Sequence, residues 1–236
     1  MRLLITRPRE DAEALAAILN GRGHEAIVAP LLELYFMPGA EISLDGIQAV
    51  VASSANGIRG FAARSPERNL PVYVVGPQTA ETARQSGFAD VISADGDAAA
   101  LIAKVVERTN PAKGKLLHAA GSETAGHIKQ ALEARGYHVD ASVLYEAIPV
   151  ESLPAVAHVE LRANLLGGVL MFSPRTARIF AALVAKDGME ENCRRLDAFC
   201  ISAATADALS PLPFARLAVA GSPNQAAMLD LLPEIR

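Results

Sequence analysis

The sequence predicts an α/β protein made of two similar parallel-sheet domains, one of them discontinuous. Three observations predict it: short β-branched runs alternating with longer helical stretches, an internal repeat, and two extended stretches that interrupt the alternation at equivalent points of that repeat. The apolar runs fall at 3–6, 26–29, 49–52, 72–75, 91–92, 115–118, 138–141, 169–172, 198–201 and 217–220. Because they are nearly continuous rather than alternating, both faces of each sheet must be covered. The segments between them are alanine-rich and carry helical spacing, as in Ala12, Leu15, Ala16 and Leu19, and again in Ile128, Ala131 and Leu132.

The repeat appears when the first thirty-odd residues are shifted by 113, so that Gly23 falls on Gly136. Leu3, Leu4, Glu10, Ala12, Leu19, Arg22, Gly23, Leu31 and Glu33 then meet identical residues, where composition alone would give roughly two or three matches. A shift of 119 lays Ser54 on Ser173 and carries Val50, Arg59, Phe61, Ala62 and Ala63 onto identical partners. A shift of 126 lays Gln78-Thr79-Ala80 on Ala204-Thr205-Ala206 and Phe88 on Phe214. The chain thus reads as A1–B1–A2–B2. Two stretches, 31–45 and 143–154, break the alternation and begin as extended chain, which makes them the crossings between domains. The expected division is 1–34 plus 150–236 for domain 1 and 38–146 for domain 2, with linkers at 31–38 and 143–150.

Charge and motif content narrow the function. The chain has 236 residues, is 51% hydrophobic and 20% charged, and carries a net charge of −4 with no dense run of Lys or Arg. Nucleic acid and anionic membrane surfaces are therefore not expected partners. No apolar run reaches the roughly 18 residues of a membrane span, and Met1–Pro8 reads as a strand rather than a signal peptide. The two cysteines, Cys193 and Cys200, read as reduced thiols, so the expected location is the cytoplasm. The five histidines show no metal-binding spacing, and no dinucleotide, P-loop or nucleophile-elbow motif is present. The carboxylates lie on helix faces, Glu10, Asp11 and Glu13 for example, and most read as solvated.

In open parallel sheets ligands gather beyond the carboxyl ends of the strands, where helix N-termini point. Those turns are Thr6-Arg7-Pro8, Ser53-Ser54-Ala55-Asn56, Gly76-Pro77-Gln78-Thr79 and His118-Ala119-Ala120-Gly121-Ser122, followed by Ser173-Pro174-Arg175-Thr176, Ser202-Ala203-Ala204-Thr205 and Gly221-Ser222-Pro223-Asn224. Ser before a helix and Pro at its first position are helix-start chemistry, so each hydroxyl serves equally as a cap or as a ligand. Clustered helix N-termini also offer amide N–H groups and a positive dipole end to carboxylates or phosphates. Among the tyrosines, Tyr73 reads as core, Tyr137 as structural at a helix end, and Tyr35 as part of the first crossing. Tyr145 stands apart because its repeat partner is the apolar Leu32. It puts a proton donor in one copy only, as a symmetric scaffold acting on an asymmetric substrate requires.

Taken in order, Ile5-Thr6-Arg7-Pro8, Gly23, Pro30-Leu31-Leu32, Ala52-Ser53-Ser54-Ala55-Asn56-Gly57, Val74-Val75-Gly76-Pro77-Gln78-Thr79-Ala80, Gly87-Phe88, Leu144-Tyr145-Glu146, Phe172-Ser173-Pro174 and Ala204-Thr205-Ala206 resemble the uroporphyrinogen-III synthase family over nearly the whole chain. Each motif is short; their order and spacing carry the likeness. The resemblance implies two flavodoxin-like domains joined by a two-stranded antiparallel ladder, with the substrate held between them and no cofactor. It implies Tyr145 as the catalytic residue, and Ser53, Ser54, Thr79, Ser173 and Thr205 among the groups lining the site. Arg7, Ala55, Asn56, Gly76, Gly121, Pro174, Arg175 and Ser202 complete the expected substrate-binding set. Ser202 stands where the family usually has Gly, Arg175 where a small polar residue is common, and the loop 119–124, ending in Thr124, lacks a basic residue often found there; Arg7 or Arg175 compensates. The reaction implied is cyclisation of hydroxymethylbilane: loss of water to an azafulvenium cation, attack at the substituted carbon of the last pyrrole, and reclosure of the spiro intermediate with that ring inverted. The expected partner is thus a linear tetrapyrrole, bound by a monomer in at most transient contact with the preceding pathway enzyme. Two other readings stay open from the residues: a non-catalytic anion- or tetrapyrrole-binding sensor on the same scaffold, and a flavodoxin-type cofactor binder, which would be yellow.

Overall fold

The structure, a computed structural model, describes residues 1–39, 42–123 and 125–234. The elements follow one another as β1 (Arg2–Ile5), α1 (Arg9–Gly21), β2 (Glu25–Val28), β3 (Leu32–Phe36), β4 (Ile47–Ala52), α2 (Ala55–Arg64), β5 (Val72–Val74), α3 (Pro77–Gln85), β6 (Val91–Ser93), α4 (Ala98–Arg108), β7 (Lys115–Gly121), α5 (Ala125–Glu133) and β8 (Val139–Pro149). The chain continues as α6 (Ala155–Arg162), β9 (Gly168–Met171), α7 (Pro174–Lys186), β10 (Asp197–Cys200), α8 (Ala203–Asp207), β11 (Arg216–Val219) and α9 (Gln225–Leu229). Mixed α/β architecture with two largely parallel sheets is what the alternating runs predict, and every predicted apolar run overlaps a strand.

The chain divides into two compact units, Met1–Glu33 with Ile148–Arg236, and Leu34–Ala147. In the first, the strand order is β2-β1-β9-β10-β11, all parallel. Numbered within that unit it is 2-1-3-4-5, the flavodoxin-like doubly wound order. Side chains alternate along each strand. Leu4, Val169, Met171, Ala198 and Cys200 face the α6–α7–α8 layer with Phe180, Leu183 and Leu209, whereas Leu3, Ile5, Leu170 and Phe199 face α1 and α9 with Leu15, Leu19 and Met228. Both faces are covered, which is why these strands carry no polar alternation.

The second unit has the order β3-β8-β7-β4-β5-β6. Without β3, its spatial plan is that of the first unit with the chain order permuted: β8-β7 correspond to β2-β1, and β4-β5-β6 to β9-β10-β11. One layer packs Val50, Ala52, Val72, Val74 and Leu117 against Ile58, Phe61, Ala80 and Ala83 of α2 and α3. The other packs Ala49, Val51, Tyr73 and Leu116 against Leu101, Val105, Ile128 and Leu132 of α4 and α5. Strand β3 runs antiparallel to β8, with the Met37 N–H donating to the Leu144 carbonyl at 2.9 Å and the Val150 N–H to that of Leu31 at 3.2 Å.

Two readings need correction. The runs predicted as a strand at 138–141 and an extended crossing from 143 are one strand, β8, uninterrupted over 11 residues. The matching chain in the first unit is broken between β2 and β3 at Pro30, which has no N–H for a ladder; its repeat partner is Val143, which has one. Residues 118–121, predicted as a turn, belong to β7, which runs to Gly121 with an irregularity in register between Ala120 and Gly121.

Candidate functional site

Each unit brings its helix starts to the carboxyl ends of its parallel strands. In the first unit β1 leads into Thr6-Arg7, β9 into the turn at Ser173, β10 into that at Ser202 and β11 into the turn before Asn224. Ser173 is the N-cap of α7, its Oγ accepting the Thr176 N–H at 3.1 Å and hydrogen bonded to Thr176 Oγ1 at 2.9 Å. Ser202 caps α8 in the same way, accepting the Thr205 N–H at 3.3 Å and bonded to Thr205 Oγ1 at 3.0 Å. Thr205 is fully buried. Pro174 is the first residue of α7, and Arg175, next to it, is half-buried.

Arg7 is held firmly. Its guanidinium donates to Gln225 Oε1 at 3.1 Å and to Asp11 Oδ2 at 3.4 Å, and lies over the Phe172 ring with 4.4 Å to the centroid. Asp11, one of the helix-face carboxylates most of which are expected to be solvated, is buried and compensates part of this charge. An arginine fixed by stacking and pairing presents a preset donor fork to an anion, with little rotamer entropy left to lose.

The second unit differs in detail. Ser54 caps α2, accepting the Gly57 N–H at 3.2 Å, and its Oγ lies 2.8 Å from the Tyr145 hydroxyl in a hydrogen bond. Tyr145, in β8, is paired in register with Gly121 at the end of β7 and is buried. A Cβ on Gly121 would stand 2.6 Å from Tyr145 Cζ and 2.8 Å from its Oη, so the ring rests on the bare glycine backbone. Gly57 admits equally close approach, since a Cβ there would collide with the Ala119 carbonyl oxygen; one on Gly60 would stand 2.7 Å from Leu144 Cβ. These two glycines let the start of α2 settle onto β7 and β8, bringing Ser54 within reach of the phenol.

Ser53 is half-buried beside Ser54, while Ala55 and Asn56 are buried in the first turn of α2, where Asn56 Oδ1 accepts from Arg59 at 2.6 Å. Gly76 caps α3 without a side chain, and open space surrounds the position of its missing Cβ. Thr79 in the first turn of α3 is only 6% exposed. The structure thus brings Ser53, Ser54, Ala55, Asn56, Gly76, Thr79, Gly121 and Tyr145 to the strand ends of one unit, and Arg7, Ser173, Pro174, Arg175, Ser202 and Thr205 to those of the other. Thr124 lies outside the described residues.

Residues missed by sequence reasoning are Gly57 and Gly60. The repeat could have flagged them, because the 119 shift sets Gly57 against Thr176 and Gly60 against Ile179. Both cysteines are fully buried, and burial pushes Cys193 up to about 12 and Cys200 to about 11, so neither supplies a thiolate at neutral pH. Among the described residues no group of three His, Cys, Asp or Glu could hold a metal ion, and no helix is long and apolar enough to cross a membrane.

The family model described as uroporphyrinogen-III synthase matches residues 13–230. The uroporphyrinogen-III synthase of Synechococcus elongatus is 29% identical over 202 residues, 78% of this chain and 75% of that one. A provisionally named uroporphyrinogen-III synthase of Methanocaldococcus jannaschii is 31% identical over 88 residues, 35% of this chain and 37% of that relative, so this match spans only about a third of each. Among solved structures, uroporphyrinogen-III synthetase from Helicobacter pylori superposes with a TM-score of 0.60 over 98% of both chains at 18% identity. A mutant uroporphyrinogen III synthase from Thermus thermophilus does so with 0.56 over 98% of this chain and 96% of that one at 15% identity. At these identities the structures establish the shared fold.

Proposed function

Since this chain belongs to the uroporphyrinogen-III synthase family, cyclising lyases of tetrapyrrole synthesis, we propose that it closes hydroxymethylbilane into a ring with loss of water and inversion of the terminal pyrrole, with Tyr145 as the proton donor. The observation that carries this reading is the Tyr145 phenol, buried against Gly121 and hydrogen bonded to the cap of α2 at 2.8 Å. A neutral hydroxyl is a poor leaving group; a proton donor placed at it converts it to water, while the pyrrole nitrogen supplies the electron pair that forms the azafulvenium cation. Free substrate closes spontaneously without inversion. The protein must therefore select a conformation as well as speed a bond change, which is a matter of positioning.

The carboxylates of the linear tetrapyrrole would be held by amide N–H groups at the starts of α2, α3, α7 and α8, with Ser53, Ser54, Ala55, Asn56, Gly76, Thr79, Ser173, Pro174, Ser202 and Thr205 forming those turns. Arg7 and Arg175 would add the cationic donors that loop 119–124 lacks. An acidic chain needs such local devices, because its overall field repels an anion. A reducing cytoplasm fits two buried, free cysteines, and the chain would act there as a monomer in no more than passing contact with the preceding enzyme.

The test is to generate hydroxymethylbilane in situ and measure the ratio of the III to the I isomer. An excess of the III isomer that depends on the protein is expected. A product dominated by the I isomer, equal to the uncatalysed mixture, would refute the reading.

A further inference from the structure

The hydrogen bond between Ser54 and Tyr145 has a direction that the geometry helps to assign. Ser54 Oγ has one proton and two lone pairs, and the Gly57 N–H already occupies one lone pair at 3.2 Å. The oxygen that remains can donate to Tyr145 Oη, 2.8 Å away, or accept from it. If the phenol donates to Ser54, its proton is spent inside the protein. If Ser54 donates, the phenol proton is left over, and Tyr145 Oη is already solvated by a donor when it loses that proton.

The surroundings favour the second arrangement. Ser54 is the N-cap of α2, a helix of 10 residues, so the phenol oxygen sits beside the positive end of a helix dipole, where negative charge is stabilised. The ring is seated on Gly121 and cannot retreat through that backbone. Gly57 is the third component, since any side chain there would lift α2 from β7 and carry Ser54 away. At the equivalent place in the other unit, Ser173 bonds to Thr176 Oγ1 within its own helix, and the residue matching Tyr145 is Leu32.

We propose that Ser54 is a positioning residue for Tyr145 rather than a substrate ligand: its hydroxyl donates to the phenol oxygen, turning the phenol proton outward and stabilising the phenolate formed when that proton leaves. This rests on the assignment of Tyr145 as the proton donor. In the step itself the phenol O–H breaks and its proton binds the substrate hydroxyl. The C–O bond then breaks with its electron pair going to water, and the pyrrole nitrogen lone pair becomes the new C=N bond. The phenolate left behind accepts the Ser54 O–H bond and later recovers a proton from the carbon that must lose one as the closed ring regains aromaticity, so the net change is loss of one water.

The experiment compares Ser54→Ala, Ser54→Thr, Tyr145→Phe and the Ser54→Ala/Tyr145→Phe double variant in the in situ assay, with melting curves alongside. A charge-assisted donor at the phenolate predicts that Ser54→Ala lowers kcat about tenfold with little change in KM, and that Ser54→Thr, which keeps the hydroxyl, restores most of it. The double variant should be no slower than Tyr145→Phe alone, because Ser54 acts only through the phenol. A loss confined to KM, or losses that multiply in the double variant, would overturn the proposal by making Ser54 an independent substrate contact. A second readout does not need turnover. With tyrosine labelled at ring Cζ, the Tyr145 resonance, identified by its loss in Tyr145→Phe, should move in Ser54→Ala while those of Tyr73 and Tyr137 stay in place. An unmoved Tyr145 resonance would also overturn the pairing. A moved resonance in a protein that makes no excess III isomer would instead refute the enzymatic reading and leave the pairing intact.

Discussion

Ser173 and Ser202 each cap a helix and each share a hydrogen bond with a threonine three residues on, Thr176 and Thr205, so both starts in the first unit are closed pairs. The repeat places Ser54 and Gly76 at the same points in the second unit, with Gly57 and Thr79 three residues on. There each pair has lost one member. Ser54 has no threonine to bond and turns to the Tyr145 phenol; Thr79 has no serine at the cap position before it, which is Gly76. One scaffold therefore carries a self-satisfied set of helix starts and an open set. This contrast accords with the proposal that the proton donor, Tyr145, belongs to the second unit.

The largest effect expected from this asymmetry is that of Tyr145→Phe. Turnover should fall at least tenfold, and by about 10²–10⁴-fold if proton donation is fully used, with the melting temperature nearly unchanged. The matched change Leu32→Ala in the other unit should do the reverse, lowering stability more than turnover; equal kinetic losses from both would erase the distinction. Next comes Gly57→Ala. Its Cβ would meet the Ala119 carbonyl, so denaturant unfolding should show a loss of about 1–3 kcal/mol. Wild-type stability would mean that α2 is not tightly seated.

Gly76→Ser imports the closed arrangement into α3. Gly76 has extended backbone, φ −163°, and open space where the side chain would go, so the serine fits and should add a few tenths of a kcal/mol by capping. If the open threonine serves the substrate, turnover should fall even as the protein melts slightly higher. A variant both more stable and fully active would refute a role for Thr79.

The smallest effect concerns His24, whose repeat partner is Tyr137. The Tyr137 hydroxyl is bonded to Thr109 at both its carbonyl and Oγ1, whereas His24 is buried with no partner at Nδ1 among the described residues. Burial lowers the His24 pKa from 6.5, with the N-terminus and Arg22 adding to the shift. The unfolded chain then takes the proton more readily than the folded one. The stabilisation is present above the ordinary histidine value and lost as pH falls through it. Melting temperature should drop between about pH 8 and pH 5.5, less so in His24→Asn; identical profiles would exclude His24 as the cause.

Much of the site could be read in the chain because helix starts have local chemistry. Ser54, Ser173 and Ser202 each precede a helix and were legible as caps from residue type alone. Tyr145 was legible from the repeat, as a tyrosine at a crossing strand set against the apolar Leu32. The pairing of Ser54 with Tyr145 was not, since 91 residues separate them. The pairing of Asp11 with Arg7 is an i,i+4 contact open to sequence reasoning; what local spacing did not reveal is that both side chains are largely buried. The turn predicted at 118–121 failed because ladder pairing with β8 outweighs the local preference of Ala and Gly to leave a strand.

By itself, then, the sequence determined the α/β class, the run of strands, the duplicated plan and the helix caps. All of these follow from periodicity and from interactions between residues a few positions apart. Only the tertiary structure decided which cap serine meets a phenol, which carboxylate is buried beside an arginine, and where a strand continues past a break. The meeting of Ser54 with the Tyr145 phenol above all turns on ångström-scale approaches between distant segments, set by glycines whose missing side chains allow backbone and helix to touch, and no local pattern encodes such distances.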